Sequence, residues 1–321
     1  MSGGLPERIA RRLRLPVIAA PMLRVSGPEL VASACAAGVI GAFPTANARS
    51  VEELDRWLLA IRECATASAG AAVAPFCPNL IIRQPRLVDD VAVLVRHAVE
   101  LVITSVGSPA SVVGPLHDAG CLVLADVATL RHAEKALAAG ADGLVLLTAG
   151  AGGQTGWLNP FAFVRAVRAM FDGPIVLAGG IADGAALWAA RTLGCDLAYM
   201  GTKFIATEES RADPAYKKIL VDSAIDEVML TSAFTGLPSS MLLPSIVAAG
   251  LDPKTLDETV SVPAASELYG GKSSSDGPKR WRDIWSAGHS VSGVDGIWPA
   301  AELVARTLAE YREAQIASLS L

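Results

Sequence analysis

ADGLVLLTAGAGGQTGW, residues 141–157, begins as a buried strand and ends as a glycine loop. Leu144 to Leu147 is an unbroken apolar run, and glycines follow at positions 150, 152, 153 and 156. An apolar strand that dissolves into glycines implies a backbone that comes close to something flat or charged. One polar side chain with reach, Gln154, sits in the middle of the loop.

Seven other short apolar runs share the character of that strand. They fall at residues 17–20, 39–43, 71–82 (in two pieces, 71–75 and 79–82), 101–105, 121–125, 175–178 and 197–200. Helical spacing separates them, at residues 28–38, 51–66, 87–97, 130–139, 161–170 and 185–193. Strands without polar alternation are buried on both faces, and strand-helix alternation implies parallel pairing. Eight such units within about 200 residues predict an α/β fold of the (β/α)8 TIM-barrel type.

The rhythm changes near Tyr216. Residues 217–230 and 240–249 read as helices, joined by Thr235-Gly236-Leu237-Pro238. The stretch 272–279, KSSSDGPK, is polar and loop-like. A last helix over 299–314 carries Leu303, Val304, Leu308 and Tyr311 on one stripe. The expected layout is a barrel of residues 1–215 plus 296–321, with a small helical domain, 216–295, over its mouth.

The composition supports a large buried core: 52% of residues are hydrophobic and 18% charged. A net charge of −5 argues against a nucleic-acid partner and leaves a small molecule as the expected one. The apolar windows are broken by Gly, Pro and polar residues, so no membrane span is expected. Five scattered cysteines without a C-x-x-C pair point to thiols in a reducing compartment, hence the cytoplasm, and not to a metal site. The Arg-rich start, which includes Glu7 and runs directly into Pro16, reads as a short capping helix. Whether the chain acts as a monomer or a homodimer is left open.

In a parallel barrel the strand C-termini converge on one face, where function resides. Those ends are Ala20-Pro21-Met22, Asn79, Ser105-Gly107, Asp126, the loop from Ala149 to Trp157, Gly179-Gly180 and Gly201-Thr202. The last two glycine turns form the sharpest pair. Exposed backbone N–H groups beside helix N-termini suit a phosphate, and barrels often seat one between their final two loops.

These residues resemble those of the nitronate monooxygenase (2-nitropropane dioxygenase-like) flavoproteins. The resemblance rests on AAPM at 19–22, PNLI at 78–81, TSVGSP at 104–109, GADGLVLLTAGAGGQTG at 140–156, PIVLAGGIADG at 174–184 and MGTKFIATEES at 200–210. TGLPSSML at 235–242 and WSAGHSVSG at 285–293 extend it. It implies an FMN-dependent barrel. Ala20, Pro21 and Met22 would lie against the isoalloxazine, and Asn79 would bond to it. Gly179, Gly180, Gly201 and Thr202 would hold the phosphate. Ala149, Gly152 and Gly153 would pass along the flavin edge, with Trp157 and Asp126 in the substrate pocket.

One position departs from the family pattern. Gln154 stands where these proteins usually carry a histidine base. A carboxamide has no usable basicity but donates hydrogen bonds. Gln154 is therefore expected to orient an anionic nitronate, with poor action on neutral nitroalkanes. Of the four histidines, His97, His117 and His132 lie away from the strand ends, and His289 is the one candidate near the mouth. Two alternatives stay open: an NAD(P)H-dependent flavin reductase of a quinone or enoyl thioester, and a non-redox phosphate-binding barrel.

Overall fold

In the computed structural model, which describes residues 4–69, 73–270 and 277–319, eight parallel strands close into a barrel. The chain runs α1 (Glu7–Ala10), β1 (Val17–Ala19), α2 (Pro28–Ala37), β2 (Ile40–Pro44), α3 (Val51–Ala69), β3 (Phe76–Ile81), α4 (Leu87–Arg96) and β4 (Leu101–Ser105). It continues with α5 (Ala110–Asp118), β5 (Leu122–Val127), α6 (Leu130–Ala138), β6 (Gly143–Leu147), the two-residue β7 (Gly153–Gln154), α7 (Pro160–Arg168) and β8 (Ile175–Ala178). Then come α8 (Gly184–Leu193), β9 (Leu197–Met200), α9 (Thr202–Ile205) and α10 (Pro214–Asp222). The last elements are β10 (Val228–Thr231), β11 (Ser239–Leu242), α11 (Leu243–Ala248), α12 (Val262–Tyr269) and α13 (Ala300–Ser318).

Closure is visible at Ile18, which pairs with Ile40 of β2 on one side and Tyr199 of β9 on the other. The strands alternate between two cores, as a barrel wrapped in helices requires. Ile18, Ile40, Cys77, Ile103, Leu124, Val145, Val176 and Leu197 fill the barrel. Val17, Val39, Ala125, Leu144 and Ile175 face outward against the helices. Helix α1 tucks the fully buried Ile9 into the interior cluster, as a capping helix would.

The final helix docks as its stripe predicts. Leu303, Val304 and Leu308 are buried in the outer core, and Tyr311 meets Trp188 edge-on at 5.7 Å. Gly184 lets α8 approach this closely: a Cβ there would lie 2.0 Å from the Tyr311 amide nitrogen.

Three sequence expectations are corrected. The third strand is Phe76–Ile81, spanning the gap between the two expected pieces. Pro78 reads as a break, yet it pairs in register with Phe43. The mouth domain is not wholly helical. Its expected first helix ends at Asp222, and residues 228–231 and 239–242 form an antiparallel ribbon. The apolar runs were long enough for either structure, and strand pairing decided between them. The ribbon takes β7 as its third strand, through Gln154 opposite Ser239 and Gly153 opposite Ser240. The expected boundary at 215/216 falls inside α10. Most of the polar stretch 272–279 lies outside the described residues.

Candidate functional site

Strand ends β1, β3, β4, β5, β8 and β9 meet at one mouth, and each contributes a different surface. Ala20, Pro21 and Met22, after β1, are partly exposed. Met22 is held by its own turn: its N–H donates to Ser26 Oγ at 3.0 Å, and its carbonyl accepts from Asn47 Nδ2 at 2.9 Å. A Cβ on Gly201 would sit 3.6 Å from Ala20 Cβ and 3.8 Å from the Met22 sulfur. The β1 and β9 ends therefore share one wall.

The two glycine turns differ in what they offer. Gly179 and Gly180 both take positive φ, at 131° and 73°. Gly179 faces inward, where a Cβ would lie 2.4 Å from Thr148 Oγ1. Gly180 faces open space, with nothing within 4 Å of its Cβ position. The helix after it supplies little to an anion. Asp183 already caps Ala186 N–H at 2.8 Å, and Glu310 accepts from Gly184 N–H at 2.9 Å. The expectation of a free helix N-terminus after β8 is thus corrected. The available donors are Gly180 and the first turn of α9, where Gly201 precedes the buried Thr202. Thr202 Oγ1 accepts from Gly288 N–H at 3.0 Å, which leaves its own proton to donate.

Beneath α9, Lys217 anchors the backbone. Its ammonium donates to the carbonyls of Thr207 at 2.6 Å, Ser210 at 3.0 Å and Glu208 at 3.3 Å. This buried lysine is tied to carbonyls and makes no ion pair among the described residues; burial lowers its pKa, and the charges of Glu209 and Glu208 partly offset that.

Across the mouth, three neighbouring strands present a polar arc. Asn79 is buried, and its amide and the Ser105 hydroxyl satisfy each other at 3.2 and 3.3 Å. Thr104 pairs with Ala125, so Ser105 and Asp126 stand side by side one residue further along. Asp126 shares the register of Val145, an interior residue, and its side chain faces into the barrel. Among the described residues Asp126 Oδ1 is buried without a hydrogen-bond partner, and so is the hydroxyl of Tyr199. Buried polar atoms without partners are uncommon and call for an explanation. Burial raises the Asp126 carboxyl to about 7. It also holds Tyr199 well above its ordinary value, with the Asp126 charge adding to the effect and Cys77 following.

The glycine loop lies over the β6 and β8 side. Ala151 packs into the interior cluster, and Ala149 N–H donates to Leu158 O at 2.9 Å. Much of the loop's glycine content serves chain packing. A Cβ on Gly152 would meet Gly288 N at 2.8 Å, and one on Gly150 would meet His289 Nδ1 at 2.7 Å. Gly153 is open by comparison, with Trp281 3.9 Å away. His289 is exposed at the loop, and its N–H donates to Gly150 O at 2.8 Å. Gln154 is exposed. Its backbone is fixed by Ser239, and its side chain makes no hydrogen bond among the described residues.

The structure thus gathers most of the expected residues and separates a few. Trp157 is 75% exposed and stands in solvent, whereas Asp126 points inward. His97 and His117 are occupied by Asp55 and Asp142, at 2.9 and 2.8 Å. Tyr199 and Lys217 were missed by sequence reasoning. Counting alternate residues from Leu197 turns Tyr199 inward, two positions before Gly201. Lys217 gives no comparable signal, because its carbonyl partners come from a turn. Among the described residues, no group of acidic, histidine or cysteine side chains could hold a metal, and no helix is long and apolar enough to cross a membrane.

Comparison with known proteins gives a consistent result. The family profile described as nitronate monooxygenase matches residues 86–310. A nitronate monooxygenase of Paraburkholderia phytofirmans is 29% identical, over 93% of this chain and 92% of its own. A (3aS,4S,5R,7aS)-5-hydroxy-7a-methyl-1-oxo-octahydro-1H-indene-4-carboxyl-CoA dehydrogenase of Mycobacterium tuberculosis is 27% identical, over 72% of this chain and 64% of its own. Among solved structures, a nitroalkane oxidase of Streptomyces ansochromogenes superposes with a TM-score of 0.76 at 26% identity, over 95% of this chain and 98% of its own.

Proposed function

The chain belongs to the nitronate monooxygenase family, and we propose that it is an FMN-dependent oxidoreductase converting an alkyl nitronate and O2 to a carbonyl compound and nitrite. The observation that carries this reading is the open space at Gly180 beside the Gly201 turn, across the barrel from a polar arc in which Asp126 Oδ1 is buried and unpartnered among the described residues. The residues fit the cofactor. Gly180, Gly201 and Thr202 would hold its phosphate, with Gly179 shaping the turn. Ala20, Pro21 and Met22 would flank its ring, Asn79 would bond to the ring's polar edge, and Ala149, Gly152 and Gly153 would run beside it. FMN, when bound, supplies the two-electron acceptor.

The rest of the chemistry falls to the chain. A nitronate is already deprotonated, so its binding calls for donors. Gln154 brings a side-chain amide with no competing partner among the described residues, on a backbone held by the ribbon. Its N–H groups are available to the anionic nitro oxygens. The ribbon that holds Gln154 would shield a bound ligand from water, and a drier site strengthens such bonds.

The test is spectroscopic. The purified protein should be yellow, and anaerobic propyl-2-nitronate should bleach it. A colourless protein that stays colourless with excess FMN would end this reading and favour a non-redox barrel. A second reading is favoured by the carboxyl-CoA dehydrogenases that match 72% of the chain: a flavin enzyme acting on an acyl thioester, with NAD(P)H as electron partner. Bleaching by NADPH and not by nitronate would select it. The cytoplasm is the compartment we assign, since no disulfide joins the buried Cys35, Cys77, Cys121 and Cys195.

A further inference from the structure

We infer that Asp126 is a catalytic base of this site, taking the α-proton of a neutral nitroalkane and so giving the enzyme access to the uncharged form of its substrate. This rests on the nitronate reading above. It replaces the expectation, drawn from Gln154 alone, that neutral nitroalkanes are poor substrates.

Position singles out Asp126. Asp126 closes the interior face of β5, next to Ser105 on β4, and Ser105 is engaged by Asn79 on β3. Two members of the arc satisfy each other, and the third keeps an oxygen with no partner. A ligand anchored at Gly180 and Gly201 would reach this arc by crossing the mouth from the β8–β9 side. The opposite candidates are weaker. Gln154 cannot accept a proton near neutral pH, and His289 is exposed beside the glycine loop.

The second support is chemical. A general base works best when its pKa lies near the working pH. An ordinary carboxylate is too weak, but burial moves Asp126 to about 7. The titratable groups that face it are Tyr199 from β9 and Cys77 from β3. Both stay neutral in this range, because burial raises both of them. The neighbouring strands β4 and β6 bring Ser105, Val145 and Leu147, none of which titrates there. The carboxylate is therefore free of a counter-ion that would depress it.

In the step itself the substrate's Cα–H bond breaks. Its electron pair forms the C=N bond of the nitronate, a nitro oxygen takes the negative charge, and the proton passes to Asp126 Oδ1. No oxidant is needed for this transfer, so it can be followed apart from turnover.

The experiment is α-proton exchange. Nitroethane is incubated in D2O under nitrogen with the flavin-loaded protein, and loss of the α-CH2 signal is followed by NMR. The wild type should exchange above the buffer rate, with a rate that climbs through about pH 7. Asp126→Asn should lose about 100-fold or more of that rate and its pH dependence, while Asp126→Glu recovers part of both. Nitronate-driven bleaching should fall far less than exchange in Asp126→Asn. Melting curves identify a variant that fails to fold, and the wild-type pH profile then remains decisive. Exchange in Asp126→Asn at the wild-type rate, or wild-type exchange no faster than buffer, overturns the assignment. Nitronate that bleaches while nitroethane does not exchange sinks the base and leaves the nitronate reading intact. Exchange without bleaching does the reverse.

Discussion

Gly152 and Gly288 meet backbone to backbone, each occupying the space a side chain on the other would need. A Cβ on Gly152 would lie 2.8 Å from Gly288 N, and a Cβ on Gly288 would lie 2.9 Å from Gly152 N and 2.6 Å from Gly150 O. The glycine loop of the barrel and the late AGH segment are thus fitted to each other directly. Neither Gly152→Ala nor Gly288→Ala can be absorbed by a flexible side chain. Each should destabilise the flavin-free protein by about 1–3 kcal/mol, the usual range for overpacking. Urea denaturation checks this, and wild-type stability in both variants would count against the contact.

Gly180 should behave in the opposite way. Its Cβ position is open, so Gly180→Ala costs only the strain of a φ of 73°, about 1 kcal/mol. Its effect should fall on the cofactor, with FMN retention through gel filtration lost at least tenfold more than in Gly120→Ala. Gly120 is an apt control, having φ 74° and equal open space far from the mouth.

Lys217 should matter through the carbonyls it ties together. Lys217→Met keeps the stem but strips donors from Thr207, Ser210 and Glu208. Leaving buried acceptors unmet costs about 1–3 kcal/mol. Thermal unfolding should show the loss, together with weaker FMN binding because the chain just after α9 loosens. A variant with unchanged melting and unchanged FMN affinity would show that water replaces the ammonium.

Asp126 leaves a signature in stability as well as in exchange. Folded, its carboxyl keeps its proton to about pH 7, while in the unfolded chain it ionises near 4. Between those limits the folded state binds more protons, so this group's contribution to stability falls as pH rises and levels off above 7. Asp126→Asn removes the dependence. Flavin-free Asp126→Asn should therefore gain on the wild type progressively from pH 4 to 7, by denaturant midpoint. A constant offset across that range would mean that the carboxyl is ordinary.

The barrel was legible because its strands are apolar on both faces and short, a pattern with few other solutions. The stripe on α13 was legible for the same kind of reason: Leu303, Val304 and Leu308 repeat at helical spacing. Pro78 hid β3, since a proline inside a strand looks like an ending. The ribbon strands were hidden because Val228 to Leu230 fits a helix equally well, and their partner, β11, lies beyond a turn. Gly150 and Gly152 were read as approaching something flat or charged, whereas what their Cβ positions meet is another segment of the chain, which one residue string cannot name. The answer, Gly288 and His289, lies more than 130 residues later. Asp126 was visible as a strand end, yet its missing partner depends on what Asn79 and Ser105 do with each other.

The two-residue strand β7 has a mechanical corollary. Gln154 is supplied by the barrel's sixth loop but is hydrogen-bonded into the ribbon opposite Ser239. Whatever displaces β11 also breaks the pairing that fixes the Gln154 backbone, so the ribbon and the barrel's sixth loop are mechanically coupled.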